Sequence, residues 1–195
     1  MEGNVRRQDA TKLLLSYLGE QPIVSNLGPT TDELWHLGDR NRNFYTYGGM
    51  GLCSSIALGV ALSTNEKVVS LDGDGSLLMN LGTLGTIGRE QPANLVVVVW
   101  DNEQWSQTGH QPSHTATGTD LEGVARSCNI PKSTTVSTEE ELETVFKEAL
   151  SSDGPWFIVA KIEDVEPLPV SPIVPEVNLH TFRQSFTGPP VRLGQ

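Results

Sequence analysis

The run "NLVVVVW" (Asn94–Trp100) constrains the fold more than any other stretch of this chain. Its β-branched residues follow one another without alternation, so both faces of the strand they form are apolar and both need cover. A strand of that kind belongs inside a parallel sheet with helices on either side. The rest of the chain supplies those helices. Asp9–Leu18 is amphipathic. "PTTDELWHLG" carries hydroxyl and acidic residues in its first turn, which suits a helix start. "MGLCSSIALGVAL" is apolar nearly all round, so a buried helix is predicted. "SLLMNLGTLGTIGRE" reads as one helix in which Gly82, Gly85 and Gly88 allow close backbone packing. "TDLEGVARSCN" starts at a Thr/Asp cap. "TEEELETVFKEALSS" has Thr138 and Glu141 in capping-box spacing. Between them, "PIVSNLG", "NFYTYGG", "KVVSLD", "TTVST" and "PWFIVAKIE" read as further strands. The expected class is α/β, a three-layer α/β/α domain with a mainly parallel sheet and right-handed crossovers.

The predicted domain covers residues 1–163, and 164–195 is a proline-rich C-terminal tail. The tail reads either as an extended segment with a helical turn near Leu179–Phe186, or as an arm that packs on a partner chain. The 24 acidic against 13 basic residues give a net charge of −11, which disfavours nucleic acid and anionic membranes as partners. Two cysteines, Cys53 and Cys128, are too few for a disulfide framework or an iron–sulfur site. With no apolar run near the length of a membrane span and no cleavage signature, the chain reads as cytosolic.

Ligands of parallel α/β sheets bind outside the carboxyl ends of the strands. Two turns fall there. "GDGS" (Gly73–Ser76) follows one strand and "DNEQ" (Asp101–Gln104) follows the next. Neither a Walker loop nor a G-x-G-x-x-G fingerprint is present, since Leu78 occupies the third glycine position. Alone, Gly73-Asp74-Gly75 is also compatible with an ordinary tight turn. Asn102 lies 28 positions after Asp74, the span of one helix, one strand and their turns. Both side chains therefore emerge at the ends of neighbouring strands. A carboxylate and an amide oxygen there make a hard-oxygen site suited to Mg²⁺, whose remaining ligands are often phosphates. A cation between Asp74 and a phosphate explains a carboxylate in a phosphate-type loop.

"GDGSLLMNLGTLGTIGREQPANLVVVVWDN" resembles the cofactor motif of thiamine-diphosphate-dependent 2-oxoacid decarboxylases, whose domain has the α/β/α thiamine-diphosphate-binding fold. The resemblance implies Asp74, the Asn102 side chain and the Gln104 backbone carbonyl as Mg²⁺ ligands. It implies Gly73, Gly75 and Ser76 beside the diphosphate. "YGGMGLCSSIALGVAL" is similar to the family's aminopyrimidine segment, which implies the Gly48 carbonyl as acceptor for the 4′-amino group and Met50 as the wedge under the bent cofactor. On its own, Met50 also reads as core packing. "SNLGPTTDELW" is similar to a turn near the diphosphate, with Thr30 as the contact or, equally, a helix cap.

The resemblance covers roughly residues 8–163, one half of a complete enzyme. It implies a pyrimidine-binding partner subunit that supplies the activating glutamate, a hetero-oligomer, and a small anionic 2-oxoacid substrate. The chain is most similar to β-type chains of sulfopyruvate decarboxylases and to the matching part of phosphonopyruvate decarboxylases. Carboligation of the acetolactate-synthase kind and a non-catalytic nucleotide- or metal-binding module are the rival readings. "GHQPS" (Gly109–Ser113) departs from the family's "GGQPT" at His110. That histidine reads as solvent-facing or as a catalytic contact to the substrate anion. His110 and His114 stand four apart without a third metal ligand, and His36 and His180 carry no functional reading.

Overall fold

The computed structural model describes residues 5–163 and 166–187. In chain order the elements are β1 (Val5–Arg6), α1 (Arg7–Tyr17), β2 (Ile23–Ser25), α2 (Pro29–Gly38), β3 (Asn43–Tyr45), α3 (Cys53–Ser63), β4 (Val68–Gly73), α4 (Asp74–Leu78), α5 (Gly82–Glu90), β5 (Leu95–Asp101), β6 (Gln104–Trp105), β7 (Gln111–Pro112), α6 (Leu121–Ser127), β8 (Lys132–Val136), α7 (Glu139–Ser151), β9 (Trp156–Glu163) and α8 (Pro175–Thr187). Six strands run β1-β9-β5-β4-β2-β3, and β8 pairs with β9 beside β1. Every pairing in this sheet is parallel.

β5 lies inside the sheet and is buried along its whole length. Val96, Val98 and Trp100 face one apolar cluster with Leu14, Leu34 and Phe146. Leu95, Val97 and Val99 face a second with Ala57, Leu84 and Ala125. The unalternating valines thus fill two cores at once, and the helices cover both faces.

Local chemistry sets several boundaries. Thr138 and Glu141 complete a reciprocal capping box at the start of α7. Asp120 caps α6 by accepting from the Gly123 amide at 3.0 Å. α2 begins at Pro29 after Gly28, which has φ 71°, so Thr30 lies inside the first turn and caps nothing.

Three expectations need correction. The helix predicted across "SLLMNLGTLGTIGRE" is two helices, α4 and α5, separated by a turn at Met79–Leu81. Of its three glycines only Gly88 is a close approach, where a Cβ would lie 1.6 Å from the Cys128 carbonyl oxygen. Nothing crowds Gly85. α3 is not buried all round, since Gly59 and Leu62 are exposed.

The described part of the tail is neither wholly extended nor free. Ser171 donates through its amide and hydroxyl to Asp32 Oδ1, at 2.8 and 2.7 Å. α8 then lies on β3, the edge strand. Asn178 Oδ1 accepts from the Tyr45 amide at 3.1 Å, and Asn178 Nδ2 donates to the Asn43 carbonyl at 2.8 Å. One side-chain amide replaces a missing neighbour strand, and Phe182 packs on Phe44 beside it. The edge is thereby blunted against unwanted strand pairing. The predicted boundary at 163/164 and the last eight residues of the tail lie outside the described residues. No described helix is long and apolar enough to cross a membrane.

Candidate functional site

The register between β4 and β5 sets Gly73 opposite Trp100. The next residues, Asp74 and Asp101, stand side by side at the carboxyl edge of the sheet, and Asn102 follows. A cavity opens at this carboxyl edge. It is walled by the Gly73–Ser76 turn, the Asn26–Thr30 turn after β2, the Gln104–Thr108 segment and Met50. The volume this chain encloses is about 70 Å³. Small-molecule pockets typically enclose about 300–1,000 Å³, so the cavity formed by this chain alone is too small to contain a cofactor-sized ligand.

Asp74 is 3% exposed. Its Oδ2 accepts from Ser113 Oγ at 2.5 Å and from Thr115 Oγ1 at 3.3 Å. Thr115 Oγ1 also lies 2.8 Å from Asp101 Oδ1, and Lys161 Nζ 2.8 Å from Asp101 Oδ2. Asp74 and Asp101 are therefore linked through the Ser113 and Thr115 hydroxyls, while Lys161 pairs with Asp101 and Glu103. Burial pushes the Asp74 pKa up to about 6. The Ser113 hydroxyl opposes that, and the Asp101 charge adds to it. Oδ2 is engaged by the 113–115 segment, and the Gly75 amide also bonds to the carboxylate.

Asn102 Nδ2 donates to Ser106 Oγ at 2.6 Å and Asn102 Oδ1 accepts from the Gln104 amide at 3.2 Å. These bonds fix the side chain on the cavity wall. Gln104 also lines the cavity, in a short hairpin of β6 and β7. Among the described residues no group of three His, Cys, Asp or Glu could hold a metal. A cation here would depend on amide and carbonyl oxygens beside Asp74.

Ser76 serves a different neighbour than expected. Its hydroxyl accepts from the Gly51 amide at 3.0 Å and bonds to Asp72, a fully buried carboxylate whose pKa burial raises. Asp72 also takes the Ser54 hydroxyl at 2.7 Å. This chain of bonds ties the Met50–Gly51 turn to the Gly73–Ser76 turn, and it leaves Ser76 its backbone for a ligand. Met50 is half-buried and lines the cavity. Gly48, with φ 75°, is exposed just outside it.

The structure brings Thr30, Met50, Gly73, Asp74, Gly75, Ser76, Asn102 and Gln104 to one cavity. It does not bring His110 there. His110 is exposed in the turn of the β6–β7 hairpin, with φ 59°, and its Nδ1 lies 3.2 Å from Gln104 Oε1. Sequence reasoning missed Asn26, Trp105, Ser113, Thr115 and Arg7. Ser113 and Asn26 stand inside motifs already singled out. Arg7 carries no local signal, because its partner is 26 positions away.

The residues suit a divalent cation and a diphosphate. Asp74 is a buried carboxylate flanked by amide oxygens. Gly73 and Gly75 keep the floor low, since a Cβ at Gly75 would lie 2.8 Å from the Trp105 ring. Two buried polar atoms on the wall, Asn26 Oδ1 and Trp100 Nε1, have no partner among the described residues. Buried polar groups are normally satisfied, so both await a ligand or water.

Residues 30–160 match the family described as thiamine pyrophosphate enzyme, C-terminal TPP binding domain. The chain is 46% identical to sulfopyruvate decarboxylase subunit beta of Methanocaldococcus jannaschii over 80% of this chain and 83% of that one. It is 35% identical to phosphonopyruvate decarboxylase of Streptomyces viridochromogenes over 92% of this chain and 45% of that one. Its fold superposes on a thiamine diphosphate-dependent 4-hydroxybenzoylformate decarboxylase from Rhodococcus jostii with TM-score 0.72 and 22% identity, covering 84% of this chain and 33% of the other. The turn that carries Asp74, the strand end that carries Asn102 and the sheet between them all lie inside the matched segment, and the chain belongs to the thiamine pyrophosphate enzyme family through its C-terminal TPP binding domain.

Proposed function

We propose that this chain is the diphosphate-binding, β-type subunit of a thiamine-diphosphate- and Mg²⁺-dependent decarboxylase that converts sulfopyruvate to sulfoacetaldehyde and CO₂. The observation that carries the reading is the convergence of Asp74, Asn102 and Gln104 on a cavity that this chain only partly encloses. The relatives named sulfopyruvate decarboxylase subunit beta support the substrate and the division of labour.

The Asp74 carboxylate, the Asn102 amide oxygen and the Gln104 carbonyl would hold Mg²⁺. Gly73, Gly75, the Ser76 backbone and Thr30 would surround the diphosphate. The bound cofactor supplies an electron sink for the pair of electrons left when CO₂ departs. The chain's own residues bind and shape. Met50 would support the cofactor from below, with its turn fixed by the Gly51–Ser76–Asp72 bonds, and the Gly48 carbonyl would accept from the aminopyrimidine.

A partner subunit completes the site. Tyr47, Leu52 and Met79 are 68%, 48% and 59% exposed. Tyr47 and Leu52 flank the Met50 turn in sequence, and Met79 lies beside Gly51, its Cβ 3.3 Å from where a Gly51 Cβ would stand. An apolar rim beside a partly walled cavity marks a surface for another chain. That chain would bring the glutamate that activates the aminopyrimidine. His110 is exposed in the hairpin turn, with its Nδ1 on the Gln104 side chain, and is assigned no step.

The test is turnover by the chain combined with its partner subunit on sulfopyruvate, phosphonopyruvate and pyruvate, with aldehyde, CO₂ and carboligation products all measured. Sulfoacetaldehyde formed preferentially supports the reading. Acetolactate as the main product would assign carboligation instead.

A further inference from the structure

Arg7 is buried to within 4% of its surface, yet it lines the cavity. It is the single cationic side chain on the wall among the described residues. It stands at the start of α1, where β1 meets the carboxyl end of β9, so the chain delivers it to the same sheet edge as Asp74. Glu33, itself wholly buried on α2, accepts from Arg7 Nε and Nη2, both at 2.9 Å. Those two nitrogens share one edge of the planar guanidinium, and Nη1 lies on the other side. No hydrogen bond to Nη1 is present among the described residues. Thr30 sits one helical turn before Glu33 on α2 and lines the same cavity. Asn26 Nδ2 lies beside Gly73, at 3.2 Å from where a Cβ would stand.

A buried ion pair adds little to stability over an apolar pair of the same size. The side-on pairing does something an apolar pair would not: it locks the guanidinium plane and leaves both N–H groups of Nη1 over. From this we infer that Arg7, held by Glu33, is an anion-recognition residue whose Nη1 donates to an oxyanion at the deep end of the cavity. The inference rests on the cavity being the cofactor site. The oxyanion is a phosphate of the cofactor or an acidic group of the substrate. Arginine suits this task and lysine does not, because a single ammonium cannot serve Glu33 with two parallel bonds and still present a fixed donor.

The experiment uses the complex of this chain with its partner subunit. Arg7→Met combined with Glu33→Leu removes both charges and keeps the volume, so the melting temperature should hold. Three quantities are read: the Kd of thiamine diphosphate with Mg²⁺ by calorimetry, the KM for sulfopyruvate, and the melting temperature. A Kd raised tenfold or more at constant melting temperature identifies the cofactor phosphate. A KM raised tenfold with Kd and kcat little changed identifies the substrate's acidic group. Unchanged Kd and KM in a folded double variant would overturn the inference and leave the pair as a clasp between α1 and α2. Arg7→Lys, which retains a charge beside Glu33, is the second variant if the double variant does not fold, and wild-type Kd and KM there would overturn the inference equally. If the unsubstituted complex binds no thiamine diphosphate, the cofactor reading itself has failed, which is a separate result.

Discussion

Ser113 stands 39 positions from Asp74 in sequence and 2.5 Å from it in space. Replacing it with alanine should weaken Mg²⁺ binding without unfolding the chain. Thr115 is the other hydroxyl on that oxygen, but it is 3.3 Å away and has a closer carboxylate in Asp101, at 2.8 Å. Ser113 is therefore the main donor that orients Asp74 and favours its ionised form. Groups that orient a metal ligand typically contribute 10–100-fold to metal affinity, or roughly 1.4–2.7 kcal/mol. Calorimetric titration of Mg²⁺ into the complex with thiamine diphosphate, at pH 7.5, measures this directly. Ser113→Thr keeps the hydroxyl and serves as control. The pH dependence has a defined sign. Asp74 must lose its proton to bind a cation, and its pKa is pushed up to about 6. Mg²⁺ affinity should fall as pH drops below about 6, and in Ser113→Ala that fall should begin at higher pH. The metal-free chain behaves oppositely. The folded state keeps a proton on Asp74 between about pH 4 and 6 that the unfolded state has lost, so this group makes the fold more stable as pH falls through that window. The displacement from 3.8 corresponds to roughly 3 kcal/mol. A Kd for Mg²⁺ within twofold of wild type in a folded Ser113→Ala protein would refute the orienting role.

Other substitutions test the packing and the site limits. Gly88→Ala must push α5 off the Cys128 carbonyl and should cost about 3 kcal/mol, read as a lower melting temperature. Gly85→Ala meets nothing within 4 Å and should stabilise the same helix by about 1 kcal/mol, and equal effects at the two glycines would contradict the packing described. Asn178→Ala leaves the Tyr45 amide and the Asn43 carbonyl without their partner and should cost about 1–3 kcal/mol in chemical denaturation. His110→Asn suits the left-handed φ of 59° and should leave kcat within twofold, whereas a hundredfold loss would make that histidine catalytic after all.

What the sequence made legible was local. The valines of β5 announce a strand covered on both faces, and Thr138 with Glu141 announces the start of α7, because each signal is carried by neighbours in the chain. The Gly73–Ser76 turn and the 28-residue step to Asn102 were legible for the same reason: one βα unit has a nearly fixed length. The missed features depend on distant pairs. Nothing near Arg7 shows that Glu33 will take two of its donors, and nothing near Ser113 shows that it will reach Asp74. The break between α4 and α5 escaped because Met79–Leu81 contains no proline or glycine. The helical turn read near Leu179–Phe186 falls inside α8, but where the tail docks was not legible, because Asn178 and Phe182 find partners only once β3 is in place.

Calorimetric titration of thiamine diphosphate with Mg²⁺ tests the central claim most directly, on the chain alone, on its complex with the partner subunit, and on that complex carrying Asp74→Ala. The account expects weak binding to the chain alone, whose cavity encloses about 70 Å³, tight Mg²⁺-dependent binding to the complex, and loss of that binding with Asp74→Ala. Binding to the complex that is indifferent to Mg²⁺ and to Asp74, or no binding in any mixture, would contradict it.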